Sequence, residues 1–455
     1  MNFEQDKQQC LEKLEWAMSQ LKVNVDNKEL ERITALIVQT MTGPWRYFHT
    51  PDHIFEVGGS ANAIEVLAAL FHDLVYVQVD QSVNFNLTFY ISPFIQEIKE
   101  HLYIREETDL PDSRMFDLVM GTFGFKLGQQ LSPFAGQNEF LSALVCALVL
   151  SPLLDDGLLL QIVTCIEATI PFRPEKEGLH AAEHLFHRIQ ETNDKLGIGL
   201  SESKLIEAVQ CSVRMANRDV GSFANPSSAR FLDNTWSLLP ETNHNLKNPS
   251  SYTVNEYRVA LQKMDGFMNF LKPDLVFQQF KGEPNDREFH NKLDRADRNI
   301  KIARLYLGCK LFTMALLEAL SRRFGRNIPL STIMGELNPL GLSIEKLEDF
   351  LPDVSNRYPL EGDMEREVFD LLSKGRFSDS PYDIKNSPLT TLIVKIIGFD
   401  KIRDLLGNSK AFFKDEITGE EFLQDCDPAV VEIITDSLSK LFDSRKAALL
   451  TPIAS

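Results

Sequence analysis

No stretch of the 455-residue sequence is apolar for long enough to cross a bilayer. The longest apolar run, Phe140 to Leu154, is broken by Ser142, Ser151 and Pro152 and closed by Asp155 and Asp156, whereas a spanning helix needs about 20 apolar residues. No transmembrane helix and no membrane partner are expected. The opening residues Asn2, Phe3, Glu4, Gln5 and Asp6 lack the basic and apolar regions of a secretory signal, so the expected location is cytoplasmic. Cysteine is scarce as well. Cys10, Cys146, Cys165, Cys211, Cys309 and Cys426 lie far apart with no Cys-x-x-Cys pair, and reduced, buried thiols are the expectation. Positive charge is in deficit, with 47 Lys and Arg against 65 Asp and Glu and a net charge of -18. A chain so acidic repels polyanions at long range, which disfavours broad nucleic-acid binding and requires a local positive site for any phosphate substrate.

Alternating patterns of the strand type are also rare, while apolar residues recur at three- and four-residue intervals almost throughout. The expected class is therefore all-α. Helices are expected over 3–21, 27–41, 51–65, 62–77 (merged with or kinked against its predecessor at Gly58-Gly59), 156–170, 177–193, 203–218 and 254–271. Periodicity lapses from Lys272 to Glu288, around Pro273, Gly282, Pro284 and Asn285, and a long helical pattern resumes over 289–323. This places a first domain at 1–280 and a C-terminal helical region of unassigned role at 286–455. That region is left three roles: forming a homodimer, covering the active site or recruiting a partner.

The chemistry-bearing residues concentrate in two stretches. In Trp45-Arg46-Tyr47-Phe48-His49-Thr50-Pro51-Asp52-His53, Thr50 suits an N-cap, Pro51 the first helical position and Asp52 the positive helix end, which puts His53 in the first turn. Nineteen residues later, His72 and Asp73 interrupt the apolar run Val66 to Val75. Burying such a pair unpartnered is costly. A divalent cation removes that cost, because neutral imidazole and ionised carboxylate are both ligands. Asp219, at the end of a helix whose buried stripe is Leu205, Val209, Val213, Ala216 and Val220, offers a further carboxylate able to face inward.

The ordered set His53, His72-Asp73, Asp219 resembles the HD superfamily of metal-dependent phosphohydrolases. Around the first histidine, Tyr47 to His53 with Val57 is similar to the Tyr-His-Asn-x-x-His-x-x-x-Val motif of cyclic-nucleotide phosphodiesterases, with Phe48 in the tyrosine position and Thr50 in the asparagine position. Arg46 to His53 and Phe71 to Tyr76 are similar to simpler bacterial HD enzymes. The resemblance implies an HD-type helical bundle over the first 280 residues. It implies His53, His72, Asp73 and Asp219 as ligands of one or two divalent ions (Mn, Fe, Zn or Mg), with Asp73 able to bridge a pair. It also implies catalytic roles for Asp73 and His49, water activated by the metal attacking phosphorus while His49 protonates the leaving oxygen. The implied substrate is a small phosphorylated metabolite, foremost a nucleotide phosphodiester. A phosphomonoesterase or nucleotide triphosphohydrolase, and a degenerate HD domain acting as nucleotide sensor or partner-binding regulator, stand as alternatives.

Four further residues are candidates for binding substrate. Arg46, Arg173 and Arg218 could clamp phosphate or simply be paired, and Glu167, on an apolar helix, could serve the site or form an ion pair with Arg173 or Arg218. His180, His184 and His187 have metal-compatible spacing, against the simpler reading of a half-exposed helical face. Residues 234–243 read as a structured loop.

Overall fold

Every residue of the segment Ala63–His72 is buried, as a helix lacking a polar face requires. The architecture follows from enclosing it. The computed structural model describes residues 2–247, 252–323, 325, 328–331, 346–380, 382–441 and 446–450. Helix makes up 67% of the chain and strand 4%, so the all-α class expected is the class observed. Among the described residues no helix is long and apolar enough to cross a membrane, and all six cysteines are buried and unpaired.

The chain divides into two compact units, Met1–Ala224 with Lys272–Ala296, and Asn225–Leu271 with Asp297–Ser455. The boundary expected near residue 280 differs from this division. Residues 225–271 group with the second unit, and the aperiodic stretch after Lys272 is a return to the first, where Asn217 and Gln278 exchange two hydrogen bonds of 2.8 Å. Local turn chemistry marks where periodicity stops but does not say which core the chain rejoins.

The first unit contains α1 (Phe3–Gln20), α2 (Asn27–Met41), α3 (Pro51–Gly58), α4 (Ala63–His72), α5 (Val77–Asp80), α6 (Phe85–Ile91), a hairpin of β1 (Ile95–Ile98) and β2 (His101–Ile104), then α7 (Arg114–Phe123), α8 (Gln137–Leu150), α9 (Asp156–Ala168), α10 (Ala181–Leu196) and α11 (Glu202–Asp219). Helix α4 packs on α1, α3, α8, α9 and α11, and a core running from Cys10 to Phe280 fills the unit. Each fully buried Leu, Ile or Val contributes about 1.5–3 kcal/mol. The hairpin went unanticipated because its turn residues, Lys99 and Glu100, occupy positive φ (51° and 66°) without the glycine that usually signals it.

The expected segments 51–65 and 62–77 are separate helices. Gly59, at φ 63°, ends α3, and Asn62 caps α4 by accepting from the amides of Ile64 and Glu65. Helix α4 stops at His72, short of the expected 77. Glu65, buried on α4, accepts from Arg214 Nε at 2.9 Å and Arg218 Nη2 at 2.6 Å, while Arg218 Nε donates to the Val57 carbonyl at 2.7 Å. These bonds tie the end of α11 to the α3–α4 junction.

The second unit contributes α12 (Ser228–Thr242) and α13 (Val254–Phe270). After α14 (Pro273–Val276) of the first unit comes α15 (Asp286–Ser321), followed by α16 (Gly362–Ser373), α17 (Pro388–Phe413), α18 (Gly419–Asp425), α19 (Pro428–Leu441) and α20 (Lys446–Leu450). Residues 234–243, expected as a loop, lie almost wholly within α12. Pro240 has no amide to give the carbonyl of Trp236 four residues back, and the Tyr382 hydroxyl donates to that carbonyl instead. A long-range bond thus offsets a local helix breaker.

Replacing Glu65 with alanine takes their shared carboxylate from Arg214 and Arg218. Because each keeps about a third of its side chain exposed, the expected loss is about 1–3 kcal/mol, less than for a fully buried pair. Urea unfolding of Glu65→Ala beside wild type measures it, and an unchanged midpoint would show the bridges to be idle.

Candidate metal centre

Three separate helices bring four side chains to one point. Thr50 occupies the N-cap position of α3, although its side chain makes no capping bond, and Pro51 opens the helix so that His53 falls in the first turn. His72 is the last residue of α4 and Asp73 its C-cap. Asp219 is the last residue of α11. His53 Nε2 lies 3.0 Å from Asp219 Oδ1 and 3.5 Å from Asp73 Oδ2, and His72 Nε2 lies 3.0 Å from Asp73 Oδ2 and 3.6 Å from Asp219 Oδ1.

The donor set fits a divalent ion on two counts. Ligand atoms each about 2.1 Å from a common centre, at right-angled to tetrahedral separations, stand roughly 3.0–3.4 Å from one another, close to the four distances found. Moreover, His72 Nε2 and Asp73 Oδ2 are buried and lack any hydrogen-bond partner despite their 3.0 Å separation. They converge without the alignment of a donor and an acceptor. His72 Nδ1 donates to the Ala69 carbonyl at 2.8 Å, so in the neutral ring the lone pair belongs to Nε2 and faces the cluster. Among the described residues, His53, His72 and Asp73 are the group whose ligand atoms all lie within 4.8 Å of one another.

Electrostatics points the same way. Burial pushes the Asp73 carboxyl up, but His72, His49 and His53 outweigh it and hold the group well below the usual carboxylate range. Burial likewise opposes ionisation of Asp219, yet the hydrogen bond to His53 and the neighbouring His72 ring bring it down to about 2. Burial disfavours the charged ring of His72, while Asp73 and Asp219 raise its pKa well above the ordinary value. With no cation bound, a proton on His72 supplies the positive charge the carboxylates demand.

His49 sits beside the four rather than among them. It is 9% exposed, with Tyr76 at 4.4 Å and Phe48 at 4.8 Å between ring centroids, and 5.8 Å from the His53 ring. Phe48 also packs on His53 at 4.6 Å and forms an apolar wall of the site.

The phosphate-clamp reading of Arg46 is corrected. Its side chain is fully buried and already committed, donating to Asp80 at 3.1 and 2.7 Å and to the carbonyls of Asp73 and Leu74 at 2.6 and 3.1 Å. It is a positioning residue that fixes the backbone carrying Asp73. Arg218 is likewise spent on Glu65, Val57 and Gly58. Glu167 forms an ion pair with Arg173 at 2.5 Å and a second with Arg188, a partner the sequence reading missed. Arg173 is therefore paired, but two guanidiniums share one carboxylate, leaving a surplus positive charge. His184 Nε2 donates to the Lys176 carbonyl at 2.8 Å, His180 caps α10, and His187 is exposed beside Phe186. Those three histidines form no site.

Glu139 was not anticipated. Near the start of α8, whose Ser142 and Asn138 accept from the amides of Val75 and Val77 at 3.0 and 3.2 Å, it has a buried Oε2 with no partner. Burial raises its carboxyl to about 7, with Asp73 and Asp219 adding to the rise and Arg173 opposing it. An acidic residue in a first turn is ordinary for the helix dipole. The available signal was the polar trio Gln137, Asn138 and Glu139 opening an otherwise apolar helix.

Because the folded carboxyl binds its proton more tightly than the unfolded one, Glu139 costs nothing below pH 4.5 and penalises the fold increasingly up to about pH 7, by about 3 kcal/mol at most. Metal-free Glu139→Gln is expected to match wild type at pH 4.5 and to exceed it at pH 8. Denaturant melts at the two pH values check this, and equal stability at pH 8 would contradict the assignment.

Comparison with family models, curated proteins and solved structures finds no match to this chain.

Proposed function

We propose that the first unit is a metal-dependent phosphohydrolase of the HD type, acting on a small phosphorylated metabolite and most specifically on a nucleotide phosphodiester. The observation that carries this reading is the meeting of His53, His72, Asp73 and Asp219 with His72 Nε2 and Asp73 Oδ2 buried and unpartnered. A divalent ion held by these residues would supply the charge that acidifies water and polarises a phosphoryl oxygen.

The remaining groups have distinct tasks. His49, close to the four residues but outside them, would give a proton to the departing oxygen. Arg46 keeps Asp73 in place through its carbonyl. The surplus charge of Arg173 and Arg188 over Glu167 offers an anion the local positive field that an acidic protein otherwise lacks. The diester version rests on His49, since the four-residue set alone also suits monoester and triphosphate hydrolysis.

Purified protein is expected to bind Mn and cleave bis(4-nitrophenyl) phosphate, and Asp73→Ala to lose both. His49→Ala should keep the metal and slow an alkyl-oxygen diester such as a cyclic nucleotide about 10²–10⁴-fold, while sparing the nitrophenyl ester, whose leaving group needs no proton. Cleavage of monoesters alone moves the reading to a phosphomonoesterase or triphosphohydrolase. Wild-type protein that binds no metal overturns it.

Metal binding should also release protons. More should leave at pH 6 than at pH 8, because Glu139, raised to about 7, still holds its proton at the lower pH and has lost it at the higher. Calorimetry in buffers of different ionisation enthalpy counts them, and a release that does not fall with pH would contradict this inventory.

A further inference from the structure

The returning segment of the first unit meets α11 along a single stripe. Gln210, Arg214 and Asn217, spaced four and three residues apart, share one face of the helix, and each binds the stretch 278–283. Gln210 Nε2 donates to the Lys281 carbonyl at 3.2 Å and Arg214 Nη1 to Glu283 at 3.3 Å. Asn217 grips the backbone of Gln278 at two points, its Nδ2 donating to the carbonyl and its Oδ1 accepting from the amide, each at 2.8 Å.

The stretch is a tight turn fixed in the core. Phe280 and Glu283 exchange backbone hydrogen bonds of 2.8 and 3.0 Å, and Lys281 and Gly282 between them have φ of 45° and 80°, positive at both positions as a two-residue type I′ loop requires. Phe280 is buried, its ring 5.7 Å from that of Phe186 on α10, and Lys281 Nζ stands 4.6 Å from the centre of the Phe186 ring. Gln278 Nε2 donates to the Ala168 carbonyl at 3.0 Å, giving a partner to one of the carbonyls that the end of α9 leaves open.

The consequence lies in where Asn217 stands. It precedes Asp219 by two residues, about 200° around the helix, so the anchored side of α11 is nearly opposite the one that carries Asp219. Helix ends fray, and the last turn of α11 is held from two directions. Arg218 joins it to Glu65 and the Val57 carbonyl, and Asn217 joins it to Gln278. An end held on two sides resists rotation about its axis, the motion that would carry Asp219 Oδ1 away from His53 Nε2 at 3.0 Å.

We propose that the turn at 278–283 is part of the metal centre, with Asn217 as a positioning residue that, anchored on Gln278, aims Asp219 at His53 and His72. The proposal rests on the metal reading of those residues. It goes beyond that reading by making the centre depend on a segment that the chain reaches only after Asn225–Leu271 of the second unit.

Titration of the full chain with Mn, read from the electron paramagnetic resonance of the free ion, tests the proposal. Asn217→Ala is expected to weaken Mn about 10–100-fold, the usual effect of removing an outer partner of a metal ligand. Gln210→Ala removes a contact of the same turn more than two helical turns from Asp219 and should leave Mn affinity unchanged. Urea unfolding of both variants separates positioning from stability, because a merely structural role makes affinity follow stability in each. Gln278→Ala keeps the bonds to Asn217 and gives up only the one to Ala168, so it serves as the milder variant should Asn217→Ala fail to fold, with Mn again weakened. Wild type that binds Mn while both Asn217→Ala and Gln278→Ala bind it equally well overturns the proposal and leaves the metal reading standing. Equal losses in Asn217→Ala and Gln210→Ala overturn it too, and wild type that takes up no Mn overturns both.

Discussion

Enclosing an apolar helix that ends in an imidazole and a carboxylate is the constraint on which the first unit depends. Helix α4 has no solvent face, so His72 and Asp73 go inside with it. Taking such groups from water costs several kcal/mol each unless charge and hydrogen bonds are returned to them. The fold returns them from distant parts of the chain. His53 and Asp219 approach from α3 and α11, Ala69 takes the Nδ1 proton of His72, and Arg46 binds the Asp73 carbonyl. At the end of α4 it leaves one nitrogen and one oxygen without a partner, facing each other at 3.0 Å.

The arginines nearest the centre are spent on the protein itself. Arg46, Arg214 and Arg218 each bind a carboxylate together with a backbone carbonyl or a sulfur. The planar guanidinium fork permits this combination, and a lysine could not reproduce it. Their effect is to hold the loop after α4 and the last turn of α11 in fixed relation, which sets the distance between Asp73 and Asp219. Arg173 and Arg188 differ, because they converge on a single carboxylate and keep net charge.

The helical class and most element positions were legible in the sequence because each rests on a local regularity, a 3.6-residue period or a cap, whereas grouping His53, His72, Asp73 and Asp219 rested on the resemblance to HD hydrolases, since nothing local ties those positions together. What was not legible depends on contacts between distant residues. Pro240 reads as a breaker until Tyr382 is seen to satisfy the carbonyl it abandons. The start of α10 lies at Ala181 rather than 177, because Lys176 and Leu179 pair with each other through their backbones. Arg46 reads as a clamp beside a histidine motif until Asp80 and two carbonyls are found on its fork. Glu139 is an ordinary first-turn acid in sequence and becomes a buried, unpartnered carboxyl only when α8 is laid against the end of α4.

Charge balance explains why such a centre is stable before any ion arrives. Asp73, Asp219 and Glu139 place three carboxyl groups in one buried region, against His72 and the surplus of the Arg173–Glu167–Arg188 group. Without a cation, the region reaches near-neutrality by keeping a proton on His72 and another on Glu139. A dication held there would bring the same two positive charges, so the exchange would leave the buried net charge unchanged.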